Sequence, residues 1–367
     1  MELSVQPAQA QRPLGADKSA ATADTQRSAL EVAPQSSISL LRAALADSHA
    51  LPSNARQAIA AFLDKVHTLQ RPNGRASSGF EREYAEICWS IDRAPWYKAA
   101  LTPQTKETKA KNRYSDVLPF EKTRVKLEHA PRSASGDYIN ANYVGDEYIA
   151  CCAPVPLAIA DFWHMVWQCD VHVILMLTNF VERDRPKADV YWNTRGQAVD
   201  FGGVVAQLID EQHTESSDGF ITRVFKVWTV DKHGRELESR VVKHLQLTIW
   251  PDHGVLRDFR VIAPLLDSMN SFRLEASRSR SVDTRVVVHC SAGIGRSGTV
   301  IAIDMLAKQI HQAIATNGSD DVWLHALDVQ RVVHRIRSER PGMVQTPEQY
   351  EMIYRYLATM FRSPESW

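Results

Sequence analysis

The chain carries no surplus of either charge: 43 Lys and Arg stand against 43 Asp and Glu in 367 residues. That balance gives neither nucleic acid nor an anionic membrane surface an electrostatic hold. Long apolar runs are missing too. A membrane-spanning helix needs about 18 such residues in a row, and the longest candidate, Val171 to Leu177, reads as a buried strand. No basic-then-apolar leader opens the sequence, so no signal peptide is expected. Cysteine is scarce. The five present, Cys88, Cys151, Cys152, Cys169 and Cys290, are odd in number and have no C-x-x-C spacing. They fit neither a disulfide framework nor a zinc site, and a reducing compartment is the simpler expectation.

Aromatic residues are absent before Phe62. Residues 1–36, rich in Ala, Gln, Ser, Thr and Pro, cannot bury enough apolar surface to order themselves and are expected to form a disordered tail. Residues 37–79 read as short helices and a linker. Ile38, Leu40, Leu41 and Leu45 make a weak first helix. A stronger one starts at Ser53 or Asn54 and sets Ile59, Phe62, Leu63, Val66 and Leu69 on one face. That stripe either packs on the large domain after it or receives a partner. Residues 80–367 read as one large domain in which helices precede, separate and follow strands. The expected fold class is α/β: a twisted mixed β-sheet flanked by helices on both faces. Strands are expected at Val171 to Leu177, Val224 to Val230, Arg240 to Trp250 and Arg285 to His289. Helices are expected over Phe80 to Trp89, Ala160 to Gln168, Phe259 to Met269, Thr299 to Ile314, Val322 to Arg337 and Pro347 to Met360.

What is present is concentrated in one stretch, Val288-His289-Cys290-Ser291-Ala292-Gly293-Ile294-Gly295-Arg296-Ser297-Gly298-Thr299. A β-branched run leads into it, and Val300, Ile301, Ile303 and Leu306 come after it at helical spacing, so it is a strand, a tight loop and a helix N-terminus. Glycine-rich backbone opening a helix is a ready-made cradle for one anion, most naturally a phosphate. Arg296 adds a planar fork that matches two phosphate oxygens. A free thiol titrates near ~8.5, and a helix N-terminus and a nearby cation lower it, so Cys290 is expected to be a thiolate and a nucleophile. Residues 293–298 also spell G-x-G-x-x-G, but a dinucleotide fold would need a further parallel strand where 321–337 looks helical. No Gly-Lys-Ser order supports an NTPase loop, and an inert buried Cys would leave Arg296 unexplained.

Cys-x5-Arg in this setting resembles the signature of the cysteine-dependent protein tyrosine phosphatases, and the resemblance runs over about residues 78–360. It implies hydrolysis of phosphotyrosine in proteins through a cysteinyl-phosphate intermediate, with no metal or organic cofactor. Cys290 is then the nucleophile, and Arg296 and the amides of Ser291, Ala292, Gly293, Ile294 and Gly295 hold the phosphoryl oxygens. Ser297 helps the thiolate leave, and His289 supports it. A leaving phenolate needs an acid, and Trp250-Pro251-Asp252-His253-Gly254 resembles the acid-bearing loop, with Asp252 in the acid's place and His253 where many members have Phe. Gln345-Thr346-Pro347-Glu348-Gln349-Tyr350 resembles the glutamine loop, with Gln345 positioning water and Gln349 helping. Lys111 to Phe120 resembles the phosphotyrosine-recognition loop: Tyr114 would wall a deep cleft and Asp116 would accept substrate backbone N–H groups. Glu182 is expected to hold Arg296 flat, and Lys187 to approach Asp252. One departure stands out: Tyr148-Ile149-Ala150-Cys151-Cys152-Ala153-Pro154 lacks the usual Gln and Gly. Cys152 is either a small buried residue or a resolving thiol for Cys290.

The layout of tail, short amphipathic helix and one phosphatase domain is similar to that of bacterial effector phosphatases delivered into host cells. If so, the tail carries a delivery signal and the helix around Phe62 binds a secretion chaperone. The alternative is a cytoplasmic phosphatase with a dispensable tail.

Overall fold

The structure, a computed structural model, describes residues 36–47, 51–71, 78–128, 136–213, 219–251, 254–280 and 283–362. Three helices lead: α1 (Ser37–Ala46), α2 (Ser53–Gln70) and α3 (Gly79–Asp92). Ser78 starts α3 with a reciprocal cap, its hydroxyl accepting from Glu81 N while Glu81 accepts from Ser78 N. Short helices α4 (Tyr97–Ala100) and α5 (Lys106–Ala110) come next, then strands β1 (Arg124–Lys126), β2 (Tyr138–Val144) and β3 (Tyr148–Cys151). Helix α6 (Ile159–Gln168) leads to β4 (Val171–Met176), the small hairpin β5 (Val181–Glu182) and β6 (Arg185–Pro186), and the meander β7 (Val199–Asp200), β8 (Val204–His213), β9 (Phe220–Val230) and β10 (Glu236–Leu247). The chain closes with α7 (Ile262–Arg280), β11 (Arg285–His289), α8 (Gly295–Ala315), α9 (Asp320–Ala326), α10 (Val329–Glu339) and α11 (Pro347–Arg362).

The main sheet runs β1-β2-β3-β11-β4-β10-β9-β8-β7. Its centre is parallel: β11 pairs with β3 and β4, and β10 with β4. The remaining pairs are antiparallel. A parallel strand covered on both faces must be apolar throughout. β11 meets that demand, with Val286 and Val288 fully buried in one core and Val287 in the other. The first core lies under the C-terminal helices and the second under α6, where Phe162 and Trp163 are buried.

Packing shows no break at residue 79. Ile38, Leu41, Ala55, Phe62 and Val66 belong to the same core as α8 and α11. Phe62 stacks on Tyr354 at 5.7 Å and meets Phe361 edge-on. The stripe on α2 is therefore covered within the chain, the first of the two readings it allowed. The helix expected over Val322 to Arg337 is two helices, because Asp328 accepts from Arg331 N at 2.9 Å and caps a fresh start at α10. The helix expected at Phe259 begins at Ile262 and runs on to Arg280. The proposed tail, residues 1–36, lies outside the described residues except Ser36. No helix among the described residues is long and apolar enough to cross a membrane.

Candidate active site

β11 delivers Cys290 to the C-terminal edge of the sheet's parallel centre, and α8 begins five residues later. Between them the backbone closes into a ring whose carbonyls are all taken by groups outside it. His289 Nδ1 donates to Cys290 O at 3.0 Å and Ala153 N to Ser291 O at 3.0 Å. Ala292 O accepts from Cys152 Sγ at 3.1 Å and from Arg340 Nη2 at 3.2 Å. Arg340 Nε donates to Gly293 O at 2.9 Å, and Val344 N to Ile294 O at 3.1 Å. In a planar trans peptide the N–H points away from the C=O. Pinning these five carbonyls outward therefore turns the amides of Ser291, Ala292, Gly293, Ile294 and Gly295 inward. One of them, Gly293 N–H, meets Cys290 Sγ at 3.2 Å.

Two glycines make the ring possible. Gly293 has φ +70°, and a Cβ there would lie 1.8 Å from Cys151 O. A Cβ on Gly295 would stand about 3.0 Å from both terminal atoms of the Gln349 amide and 3.1 Å from Gln345 Oε1, so the absent side chain is what lets both glutamines reach the ring. Gln349 Oε1 is itself fixed by Gln345 N at 2.9 Å.

Burial pushes the Cys290 thiol up, but the Ser297 hydroxyl, the Arg296 charge and the backbone N–H groups of Ser297 and Gly293 outweigh it and leave the thiol below its ordinary value. Ser297 Oγ is fully buried and has no hydrogen-bond partner at ordinary distance among the described residues. It acts on the sulfur as a nearby dipole. Arg296 is clamped from behind: Nη1 and Nη2 each meet a Glu182 oxygen at 2.7 Å, and Nη1 also donates to Leu177 O at 3.0 Å. Glu182 is held in turn by Thr178 Oγ1 and Asn179 N. Burial raises its carboxyl, yet the Arg296 guanidinium together with the Asn179 N–H and the Thr178 hydroxyl more than offsets this and keeps it below the usual carboxylate range.

Above the ring lies a cavity of about 500 Å³. Cys290, Ser291, Ala292, Gly295, Arg296, Tyr114, Asp116, Glu182, Lys187, Gln345 and Gln349 all line it. Ser291 Oγ donates to Lys187 O at 2.6 Å, so Tyr114 OH is the donor in its 2.8 Å bond to Ser291 Oγ, which fixes the tyrosine as a wall.

The family model described as Protein-tyrosine phosphatase matches residues 108–359, most of the chain. The chain belongs to the protein-tyrosine phosphatase family. It is 34% identical over 297 residues to a receptor-type tyrosine-protein phosphatase eta of Gallus gallus, an alignment covering 78% of this chain and 19% of that protein. It is 38% identical over 254 residues to tyrosine-protein phosphatase 3 of Dictyostelium discoideum, covering 67% of this chain and 24% of the relative. The chain thus spans about a quarter or less of the length of these relatives.

Within this phosphatase fold, Asp252 and His253 lie outside the described residues, but both flanks of the segment sit at the cavity. Pro251 O accepts from Arg296 Nη2 at 3.2 Å, and Gly254 lines the cavity while its carbonyl accepts from the buried Trp250 ring at 3.2 Å. Gly293 and Ile294 are part of the ring itself, and His289 and Ser297 stand behind it. Arg340 had no role in the motif reading, yet it is 1% exposed and also donates to Asn142 Oδ1 at 2.9 Å and Asn140 Oδ1 at 3.0 Å. Its adjacency to the Gln345 stretch is the one signal in the sequence that points to it. Arg113, expected only as part of a motif, ties Ala153 O and Pro154 O to Asp189 and so braces the strand beside the ring. Thr178, Arg185 and Thr346 also line the cavity.

Proposed function

We propose that the chain hydrolyses phosphotyrosine in proteins by two in-line displacements at phosphorus. In the first, the Cys290 thiolate forms a P–S bond as the P–O bond to tyrosine breaks, and the Asp252 carboxyl gives its proton to the leaving phenolate oxygen. In the second, a water positioned by Gln345 and Gln349 attacks phosphorus, Asp252 takes its proton, and the Cys290 thiolate leaves with help from Ser297. Arg296 and the inward amides of Ser291 to Gly295 carry the charge on the three non-bridging oxygens throughout.

The observation that carries this reading is the ring of five outward carbonyls around one low-titrating thiol, completed by a guanidinium already flattened by Glu182. Fixed donors of this kind cost no reorganisation during the reaction. Tyr114 on the cavity wall supports an aromatic phosphoester over phosphoserine, and Asp116 on the rim supports a peptide backbone as the rest of the substrate. The loop flanks at Pro251 and Gly254 support Asp252 as the acid, and Lys187 lines the same cavity.

The deciding experiment is phosphate release from a phosphotyrosine peptide and a matched phosphoserine peptide, for the wild type and Cys290→Ser. Turnover of the tyrosine peptide alone, lost on substitution, is expected. Turnover of both would move the reading to dual specificity, and binding without turnover would make the chain a phosphotyrosine-binding module. Where the protein acts is read as the cytoplasm; delivery by a bacterium into a host cytosol is tested by deleting residues 1–36 and measuring export.

A further inference from the structure

We propose that Arg185 is the specificity-determining residue of the active-site rim, selecting substrates that carry an anionic side chain, a carboxylate or a second phosphate, beside the phosphotyrosine. The proposal rests on the reading of the cavity as a phosphotyrosine site. Arg185 belongs to the small hairpin of β5 and β6, in which Val181 faces Pro186 and Glu182 faces Arg185. The two residues between them, Arg183 and Asp184, have φ +47° and +59°, as a two-residue type I′ turn requires. Residues directly opposite in an antiparallel pair project from the same face of the ribbon, about 5 Å apart at Cβ. Glu182 projects toward Arg296, so Arg185 projects to the same side and lines the cavity.

The hairpin holds this position firmly. Pro186 fixes its own φ and confines the residue before it to extended backbone. Lys187 N donates to Phe180 O at 2.8 Å, and Lys187 O accepts from Ser291 Oγ at 2.6 Å, so the returning strand is tied to the ring that would hold the phosphoryl group. The backbone of Arg185 therefore stands at a set place relative to the phosphate, while its long side chain can follow a variable neighbour.

Charge accounting leaves this arginine without a mate in the protein. Its cross-strand neighbour is a carboxylate, but the fork of Arg296 takes both Glu182 oxygens at 2.7 Å. Arg183 and Asp184 at the turn are of opposite sign and cancel. Arg185 is exposed and makes no hydrogen bond or ion pair among the described residues. The other ionisable groups lining the cavity are Asp116, Glu182, Lys187, Cys290 and Arg296. In the proposed reaction Cys290 and Arg296 meet the phosphoryl group, Glu182 braces Arg296 and Asp116 meets the peptide backbone. Arg185 has none of these tasks. Its planar fork matches the terminal oxygens of a carboxylate or a phosphate. With phosphotyrosine in the cavity, the neighbouring residues of the peptide lie across the rim, where an anionic side chain meets Arg185 and a cationic one is repelled. This pair forms in the bound substrate away from the reacting atoms, so it acts on KM rather than kcat.

Kinetics of the full chain on phosphotyrosine peptides with Ala, Glu, phosphoserine or Lys at one flanking position at a time test the proposal. The Glu and phosphoserine peptides are expected to exceed the Ala peptide in kcat/KM by about fivefold at low salt, through KM, with the Lys peptide below it. The advantage should shrink as salt rises. The larger of the two gains identifies the anion. Arg185→Ala should level the four peptides, Arg185→Lys should keep part of the gain, and Arg185→Glu should reverse the order so that the Lys peptide leads. No preference at any position in the wild type, or a preference for anions that survives Arg185→Glu, would overturn the proposal. A wild type that turns over none of the peptides would fail the functional reading instead. The affinities of Cys290→Ser for the same four peptides, with and without Arg185→Glu, then give the ranking and answer for Arg185 on its own.

Discussion

Cys152 and Cys290 meet opposite ends of one peptide unit: the Cys152 thiol donates to Ala292 O at 3.1 Å, and the Gly293 N–H of the same unit donates to Cys290 Sγ at 3.2 Å. The peptide lies between the sulfurs, which a disulfide would need at about 2.05 Å. Peroxide treatment is therefore expected to oxidise Cys290 without linking it to Cys152. Non-reducing peptide mapping checks this; a 152–290 linked peptide would show that the 292–293 peptide swings out of the ring. Burial also pushes the Cys152 thiol up, opposite to Cys290, which makes it a poor attacking group.

Arg340 is a buried cation whose partners among the described residues are all neutral: two ring carbonyls, two asparagine amides and the Cys152 sulfur. Arg340→Met would leave these acceptors unpaired in the interior. A loss on the order of 3 to 5 kcal/mol is expected in urea unfolding. Arg340→Lys, with one donor centre in place of a fork, should lie between the two.

Glu182 links the site to acid stability. Its folded carboxyl is held below the usual range, so the Arg296 pair contributes fully above the unfolded carboxyl value of about 4.3 and is lost as pH falls through the lower folded value. Glu182→Gln should flatten the acid limb of stability against pH, read from urea midpoints between about pH 3 and 6. At neutral pH it should cost about tenfold or more in kcat/KM, because the fork of Arg296 loses its brace.

Ser297 is expected to matter more to the sulfur than to the fold. Ser297→Ala removes a buried hydroxyl that has no partner at ordinary distance among the described residues, so stability should change little. The same change should raise the apparent thiol pKa of Cys290, seen as a shift of the iodoacetate rate profile to higher pH. An unchanged profile would assign the lowered thiol to Arg296 and the amides alone.

Much of the fold and site is legible in the residues because the signals are local. The β-branched run before Cys290 reads as a strand, and β11 spans Arg285–His289 as its pattern predicts. Most residues lining the cavity come from the stretches singled out in the sequence, while Thr178 and Arg185 do not. What is not legible is non-local. Nothing near Ala292 says that its carbonyl is held by Arg340, 48 positions away. β8 escapes a reading of the sequence because its outer half, Asp210 to His213, is exposed and polar and has no apolar alternation to reveal it. The break at Asp328 escapes it because a capping aspartate inside an otherwise periodic run looks like an ordinary surface charge.

The stacking of Phe62 on Tyr354 has a practical meaning for anyone who trims the chain. The family match begins at residue 108, whereas the packing places the first residue of the folded unit before 40. A protein cut at the first point would present Phe80's vacated seat, Tyr354 and Phe361 to water on the back of α11, the same helix whose first turn carries Gln349. Such a truncation would be sticky and would carry Gln349 on a helix stripped of its cover. The three leading helices belong in any preparation meant to report the native turnover.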